Sequence, residues 1–121
     1  MAKTILTVDD SASMRQMIRL ALAGAGYAVL EAADGAQGLA TARGRAVDMV
    51  LTDLNMPVMD GVTLVKELRK LPTLTGVPII LVTTESDAER KAQAKAAGAT
   101  GWITKPFQSS QLISLAKKVL G

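Results

Sequence analysis

Short apolar runs alternate along the chain with longer segments of helical periodicity. Five runs of four or five residues predict strands: residues 4–8 (TILTV), 28–32 (AVLEA), 49–52 (MVLT), 79–83 (IILVT) and 101–104 (GWIT). The central runs are almost continuously apolar, which is typical of parallel strands that are covered on both faces of a sheet. The pattern therefore predicts one parallel sheet of five strands.

The segments between these runs carry apolar residues at the spacing of a helix face, i, i+3, i+4 and i+7. The stripes are Met14, Met17, Ile18, Ala21, Leu22 and Ala25 in the first segment, Gly61, Leu64, Val65, Leu68 and Leu71 in the third, and Leu112, Ile113, Ala116, Val119 and Leu120 in the last. The second segment, residues 34–43, is weaker, with Ala36, Leu39 and Ala40 as its stripe. The fourth, residues 86–99, offers mostly alanine, so we expect its helix to be the most loosely packed.

Strands that alternate with helices define an α/β protein. Five such units in 121 residues match the flavodoxin-like (βα)5 doubly wound sandwich, with a parallel sheet of order 2-1-3-4-5. The length suits one core, so we expect a single domain over residues 1–121 with no output domain. In this topology the site lies at the carboxyl ends of the strands, near the switch point between strands 1 and 3.

Composition narrows the function classes. The chain has no cysteine and no histidine, which excludes disulfides, thiolate metal sites, serine–histidine catalysis and histidine ligation. The net charge is +3, but the basic residues are scattered and only one tryptophan, one tyrosine and one phenylalanine are present, so we expect no nucleic-acid partner. No apolar run approaches the length of a membrane span and the start is no signal peptide, so we expect no membrane association and a cytoplasmic location.

Polar side chains stand at the ends of four predicted strands. Asp9 and Asp10 follow strand 1, Asp53 follows strand 3, strand 4 ends in Thr83, and Lys105 follows strand 5. An acidic strand end alone can be a helix cap or a solvated loop. Because the carboxyl ends of parallel strands meet at one edge of the sheet, five such groups together favour a shared site.

The chemistry of that site follows from its charges. Three neighbouring carboxylates raise one another's pKa unless cations compensate them, and Lys105 supplies only one positive charge. An all-oxygen ligand set favours Mg²⁺, with Mn²⁺ as a substitute. With Asp9 and Asp10 on the cation, an Asp53 oxygen could attack a phosphoryl group and form an aspartyl phosphate, with Thr83 and Lys105 contacting the phosphoryl oxygens. The chain would then catalyse only its own phosphorylation and dephosphorylation, and would not be a true enzyme.

Four sequence blocks resemble the signatures of response-regulator receiver domains: VDDS, LTDLNMPVMDG, ILVTTE and GWITKPF, in this order over nearly the whole chain. The length resembles that of the stand-alone chemotaxis regulators in the family. The resemblance implies that Asp53 is the phosphoacceptor and that Asp9, Asp10, Asp53 and the Asn55 main-chain carbonyl bind Mg²⁺. It further implies that Thr83 and Lys105 are the switch hydroxyl and the phosphate-pairing lysine, and that the peptide bond from Lys105 to Pro106 is cis.

The resemblance also implies a switch. Thr83 would move toward the phosphoryl group, and an aromatic residue on strand 5 would turn inward. The family usually has Tyr or Phe there, whereas this chain has Trp102, which could swing inward or simply anchor a partner at the surface. Asn55 and Glu85, two residues after the phosphoacceptor and the switch threonine, resemble those of rapidly self-dephosphorylating members.

The expected output face consists of helix 4, strand 5 and helix 5. Its basic residues are Arg90, Lys91, Lys95, Lys117 and Lys118. The resemblance implies a monomer whose phosphodonor is a histidine kinase of the CheA type. Its output partner would be a flagellar motor switch protein or, for a phosphorelay intermediate, a histidine phosphotransferase.

Other interpretations also fit parts of the sequence. A receiver domain excised from a longer regulator is one. A flavodoxin would need a Ser/Thr/Gly-rich phosphate loop after strand 1, and a phosphatase of the haloacid dehalogenase type would need a D-x-D-x-T motif there. The two acids that follow strand 1 match neither motif.

Overall fold

The computed structural model describes residues 2–84 and 88–121, and within them strands and helices alternate. The strands are β1 (Thr4–Val8), β2 (Ala28–Ala32), β3 (Met49–Asp53), β4 (Ile79–Thr83) and β5 (Gly101–Thr104). The helices are α1 (Ala12–Gly24), α2 (Gly35–Gly44), α3 (Gly61–Arg69), α4 (Ala88–Ala97) and α5 (Ser109–Leu120), with a short 3-10 turn at Pro72–Leu74. The strands pair in parallel in the order β2-β1-β3-β4-β5, which confirms the predicted flavodoxin-like fold.

Helices cover both faces of the sheet. Leu6, Val50 and Leu81 belong to the core layer under α2, α3 and α4. Ile5 and Leu51 belong to the opposite layer, under α1 and α5. Every residue of β3 and β4 is buried, because these central strands contact helices on both sides.

Side-chain caps fix where three helices begin. The Ser11 hydroxyl accepts the N–H of Met14 at the start of α1. The Asp34 and Asp60 carboxylates accept N–H groups of α2 and α3 at 2.8 and 2.9 Å. Each cap satisfies an otherwise unpaired helical N–H. Since each cap stands a few residues after a strand, the caps hold the loops that form the carboxyl edge of the sheet.

Helix α2 corrects the sequence analysis. Its buried face is Gly35, Gly38, Leu39 and Ala42, whereas the predicted Ala36 and Ala40 are exposed. A Cβ on Gly38 would lie 2.8 Å from a Val8 methyl group, so the helix approaches β1 more closely than a side chain would permit. Glycine contributes no apolar side chain to a periodic stripe, so the pattern pointed to the wrong face.

Helix α4 is lightly anchored, as its alanine-rich sequence predicted. Ala94 is its one buried residue, whereas α3 buries Gly61, Val62, Leu64, Val65 and Leu68. The predicted stripe of α3 is correct up to Leu68, but the helix ends at Arg69. Leu71 therefore lies beyond the helix, where it packs partly buried against the core.

Candidate functional site

Three aspartates meet at the carboxyl edge of the sheet. One carboxylate oxygen each from Asp9, Asp10 and Asp53 lies within 4.8 Å of the other two. Asp9 and Asp53 are buried, and Asp10 is exposed. They come together because β1 and β3 are neighbours in the sheet and both strands end at this edge.

Asp9 is only partly satisfied by hydrogen bonds. Its Oδ1 accepts the N–H of Ser11 at 2.9 Å, and its main-chain oxygen accepts Arg15 Nη1 at 2.6 Å. Its Oδ2 is buried and, within residues 2–84 and 88–121, has no hydrogen-bond partner. A buried carboxylate oxygen without a donor is costly. A cation at the cluster would compensate for it.

The electrostatics of Asp9 fit a cation site. Burial raises the pKa of the Asp9 carboxyl, and the charges of Asp53 and Asp10 raise it further. The Ser11 N–H and the charge of Lys105 act in the other direction but do not outweigh these effects. The donors are all carboxylate oxygens, which suits Mg²⁺ or Mn²⁺. The residues present therefore fit the predicted cation, while the Asn55 carbonyl as a further ligand stays a prediction.

Lys105 reaches the predicted phosphoacceptor. Its Nζ lies 3.3 Å from Asp53 Oδ1, and its main-chain N–H donates to Thr83 O at 2.7 Å. The peptide bond between Lys105 and Pro106 is cis, which confirms the expectation drawn from the resemblance. The lysine therefore stands where its charge can offset negative charge on Asp53.

The two predicted switch residues lie in different environments. Thr83 is buried at the end of β4, and its hydroxyl donates to the Thr84 carbonyl at 3.3 Å. Trp102 on β5 is 44% exposed, and Lys91 Nζ stands 5.1 Å from the centre of its ring. This cation–π contact holds α4 and β5 together at the surface. The Trp102 indole therefore points outward in this structure. Glu85, which was predicted to tune dephosphorylation, lies outside the described residues.

The loop between β3 and α3, residues 54–60, is tightly constrained. A Cβ on Gly61 would lie 2.6 Å from Asp53 O and 2.8 Å from Leu54 Cα, so only glycine allows α3 to start against the end of β3. The Gly61 N–H donates to Leu54 O at 2.9 Å. Val58 has φ +69° and is 88% exposed. A β-branched residue in the left-handed region is strained.

Arg90 is a residue of this site that the sequence analysis missed. It was expected on a basic outer face, but its guanidinium donates to Asn55 Oδ1, to Asp60 Oδ2 at 2.9 Å and to Leu54 O at 3.4 Å. The partners lie 30 to 36 residues away in sequence, and the contact depends on how α4 packs beside α3. No local pattern would have revealed it.

Comparison with known proteins decides the family. A family model described as the response regulator receiver domain matches residues 5–117. The chain belongs to this family. The residues matched include all the strand-end residues described above, so the flavodoxin and phosphatase alternatives are dropped.

Two solved structures are similar to this receiver domain over nearly its whole length. The chemotaxis protein CheY4 of Vibrio cholerae superposes with a TM-score of 0.94 and 43% identity, covering 98% of this chain and 99% of that chain. A putative response regulator from Chloroflexus aurantiacus superposes with a TM-score of 0.92 and is 34% identical, covering 99% of this chain and 98% of that chain.

A curated relative is about twice as long as this chain. The phosphate regulon transcriptional regulatory protein PhoB of Pseudomonas aeruginosa is 39% identical over 118 residues, covering 98% of this chain and 52% of the relative. The chain thus spans about half the length of the curated relatives it matches. In the part of the chain that the structure describes, every helix is too short or too polar to cross a membrane.

Proposed function

We propose that this receiver domain accepts a phosphoryl group on Asp53 from a phosphohistidine of a histidine kinase of the CheA type. The observation that carries the proposal is the setting of Asp53: it is buried, grouped with Asp9 and Asp10, and contacted by Lys105 Nζ at 3.3 Å. Membership of the receiver family supports a kinase as the donor. The response is a phosphorylation-dependent change of surface, and the domain turns over no separate substrate.

Phosphoryl transfer depends more on a positioned nucleophile and on charge neutralisation than on general acid–base catalysis. An Asp53 carboxylate oxygen attacks phosphorus while the bond from phosphorus to the donor histidine nitrogen breaks, and that nitrogen keeps the electron pair. Lys105 then pairs with a phosphoryl oxygen, and the Thr83 hydroxyl donates to another. Asp9, Asp10, Asp53 and the Asn55 carbonyl would hold Mg²⁺, which would supply positive charge to offset that of the phosphoryl oxygens.

The signal leaves through α4, β5 and α5. Thr83, at the end of β4, turns toward the phosphoryl group, and the contact between Lys91 and Trp102 rearranges in response. Helix α4 is suited to move because Ala94 is its one buried residue. Autodephosphorylation resets the domain, and by the family resemblance Asn55 and Glu85 tune its rate. We expect a phosphate lifetime well short of many hours in Mg²⁺.

The pathway we favour is chemotaxis, with a cytoplasmic, monomeric regulator of the CheY type that binds a flagellar motor switch protein. Likeness to CheY4 over 99% of that chain supports this choice. A second candidate is the receiver part of a longer transcription regulator, which the 39% identity to PhoB favours. A third is a relay intermediate that passes its phosphate to a histidine phosphotransferase.

Partner capture separates these candidates. Protein treated with beryllofluoride and Mg²⁺ should bind a motor switch protein more tightly than untreated protein does. Transfer of label from the phosphorylated chain to a histidine phosphotransferase, without gain of motor binding, would favour the relay. The transcription-regulator candidate would be favoured if the phosphorylated chain neither bound the motor switch protein nor passed on its label, but associated with itself.

The phosphorylation itself is tested with acetyl phosphate and Mg²⁺, followed by intact mass. The wild type should gain one phosphoryl group and Asp53→Asn none. The matched control is Asp48→Asn, at the opposite edge of the sheet, which should be labelled like the wild type. No label on the wild type, or equal label on Asp53→Asn, would refute the proposal.

A further inference from the structure

One arginine side chain joins α4 to the loop that follows the phosphoacceptor. Arg90, in the first turn of α4, places its guanidinium against Asn55 Oδ1, Leu54 O and Asp60 Oδ2. These acceptors stand at the beginning and at the end of the loop, residues 54–60. A single group from another helix therefore spans the whole loop.

Each of the three residues that accept these hydrogen bonds has a second role. Leu54 directly follows Asp53, and its carbonyl also accepts the N–H of Gly61 at 2.9 Å. Asn55 is the expected source of the main-chain ligand to the cation. Asp60 caps α3 by accepting the N–H of Thr63 at 2.9 Å. Holding these groups together fixes the loop relative to both β3 and α3.

The geometry of the contact requires a guanidinium. Arginine presents five N–H donors in a rigid plane, whereas a lysine ammonium has three donors at a single point. Three acceptors, one main-chain and two side-chain oxygens at the two ends of the loop, match the extended plane. A lysine at this position would keep the positive charge and would not reach all three acceptors.

We infer that Arg90 is a positioning residue, which holds loop 54–60 in the geometry that binds the cation and thereby couples α4 to the site. The inference rests on the proposed function for the identity of the ligand, Mg²⁺. Charge alone predicts the opposite effect, because a positive group near the site repels a divalent cation. Variants that separate charge from geometry therefore give a decisive test.

The first measurement is the Mg²⁺ affinity of the full chain by calorimetric titration, at a temperature where circular dichroism shows every variant folded. Arg90→Lys should weaken Mg²⁺ binding by about fivefold or more, which is the lower end of usual coupling strengths. Arg90→Met should not bind more tightly than the wild type. Affinity equal to wild type in Arg90→Lys, or tighter binding in Arg90→Met, would overturn the inference.

Arg69→Lys is the matched control. Arg69 likewise donates to more than one acceptor, the main-chain carbonyls of Gly98 and Leu74, each at 2.9 Å, but it lies at the amino edge of the sheet. Its loss should lower stability and leave Mg²⁺ affinity unchanged. An equal loss of affinity in both variants would mean that Arg90 acts only through general stability, and the positioning role would be rejected.

The second measurement is hydrogen exchange of the α4 amides with and without saturating Mg²⁺. In the wild type, Mg²⁺ should slow exchange in α4, because the cation orders the loop to which α4 is tied. In Arg90→Lys at saturation, Mg²⁺ should leave α4 exchange unchanged. A Mg²⁺ effect on α4 that survives in Arg90→Lys would contradict the coupling.

Failure of the inference can be told apart from failure of the proposed function. If the wild type binds no Mg²⁺, the proposed function falls and this inference falls with it. If the wild type binds Mg²⁺ and Asp53→Asn binds it more weakly, the site stands. Arg90→Lys then decides the positioning role alone.

Discussion

The two edges of the sheet use similar polar side chains in different ways. At the amino edge, the Asp48 carboxylate accepts the N–H of Thr4 at 2.7 Å, and Arg69 donates to the carbonyls of Gly98 and Leu74. At the carboxyl edge, Asp9 Oδ2 is buried with no partner among the described residues, beside Asp10 and Asp53. The polar groups at the amino edge are paired within the protein, whereas at the carboxyl edge three carboxylates share, among the described residues, a single paired ammonium, that of Lys105.

This difference separates residues that stabilise the fold from residues that bind. Polar groups at the amino edge contribute to stability as soon as the chain folds. Under the proposed function, groups at the carboxyl edge destabilise the metal-free protein and become favourable when a cation or a phosphoryl group binds. Local departures from good packing and pairing are expected at functional sites.

Two glycines give the largest expected contrast. Gly61→Ala would place a Cβ 2.6 Å from Asp53 O, so the start of α3 must shift, at a cost of about 1–3 kcal/mol. Gly44→Ala, at the end of α2 near the amino edge, meets nothing within 4 Å and should stabilise by about 0.5–1 kcal/mol. Urea unfolding measures both. Equal effects would show that β3 and α3 do not abut as described.

Two aspartates test the electrostatic contrast directly. Asp9→Asn keeps an acceptor for the Ser11 N–H and removes a buried charge, so the metal-free protein should gain about 1 kcal/mol. Asp48→Asn, whose carboxylate is already paired with Thr4 N–H, should gain nothing. Thermal unfolding in a chelator measures the difference. A loss of stability in Asp9→Asn would indicate that its carboxylate is already satisfied.

The two edges also treat left-handed backbone differently. Position 76, before β4, has φ +78° and is glycine, whereas position 58 has φ +69° and is valine. Val58→Asn should therefore stabilise the protein by about 1 kcal/mol, because asparagine tolerates this conformation. Val58→Thr, which stays β-branched, is the control and should gain nothing. A gain of the same size in both variants would reveal a cause other than backbone strain.

A pH effect at Asp60 is the smallest predicted difference. Burial acts to raise the pKa of Asp60, but the hydrogen bonds from Thr63 and the charge of Arg90 outweigh it, and the pKa is lowered. The stabilising contribution is thus present above the ordinary pKa of an aspartate and is lost as the pH falls through the lowered value. Asp60→Asn, which can still cap α3, should remove that part of the acid dependence. Unchanged acid unfolding would show that these contacts do not lower the pKa of Asp60.

Sequence patterning predicted the strands and the convergence of charges, because each depends on local order and on a general rule for parallel sheets. The apolar runs located every strand that the structure describes, with β3 extending one residue further to Asp53. Because the carboxyl ends of parallel strands meet at one edge of the sheet, the sequence then predicted that Asp9 and Asp53 lie close together. Both results needed only the chain's own periodicity.

The remaining features depend on tertiary packing. The buried face of α2 is set by Gly35 and Gly38, which allow close packing because they have no side chain. The contact of Arg90 with Asn55 depends on the packing of α4 against α3. Trp102 on β5 contacts Lys91 on the preceding helix, α4, and this contact depends on how the helix packs beside the strand. Neither composition nor spacing carries this information.

The account depends on one electrostatic property: the carboxylates of Asp9, Asp10 and Asp53 are not fully neutralised by Lys105, and Mg²⁺ would supply the missing positive charge. It is tested most directly by the melting temperatures of wild type and Asp53→Asn, each with and without Mg²⁺. Asp53→Asn should melt higher than the wild type in chelator, and Mg²⁺ should raise the wild type more than the mutant. Equal melting temperatures under all four conditions would contradict the shared site.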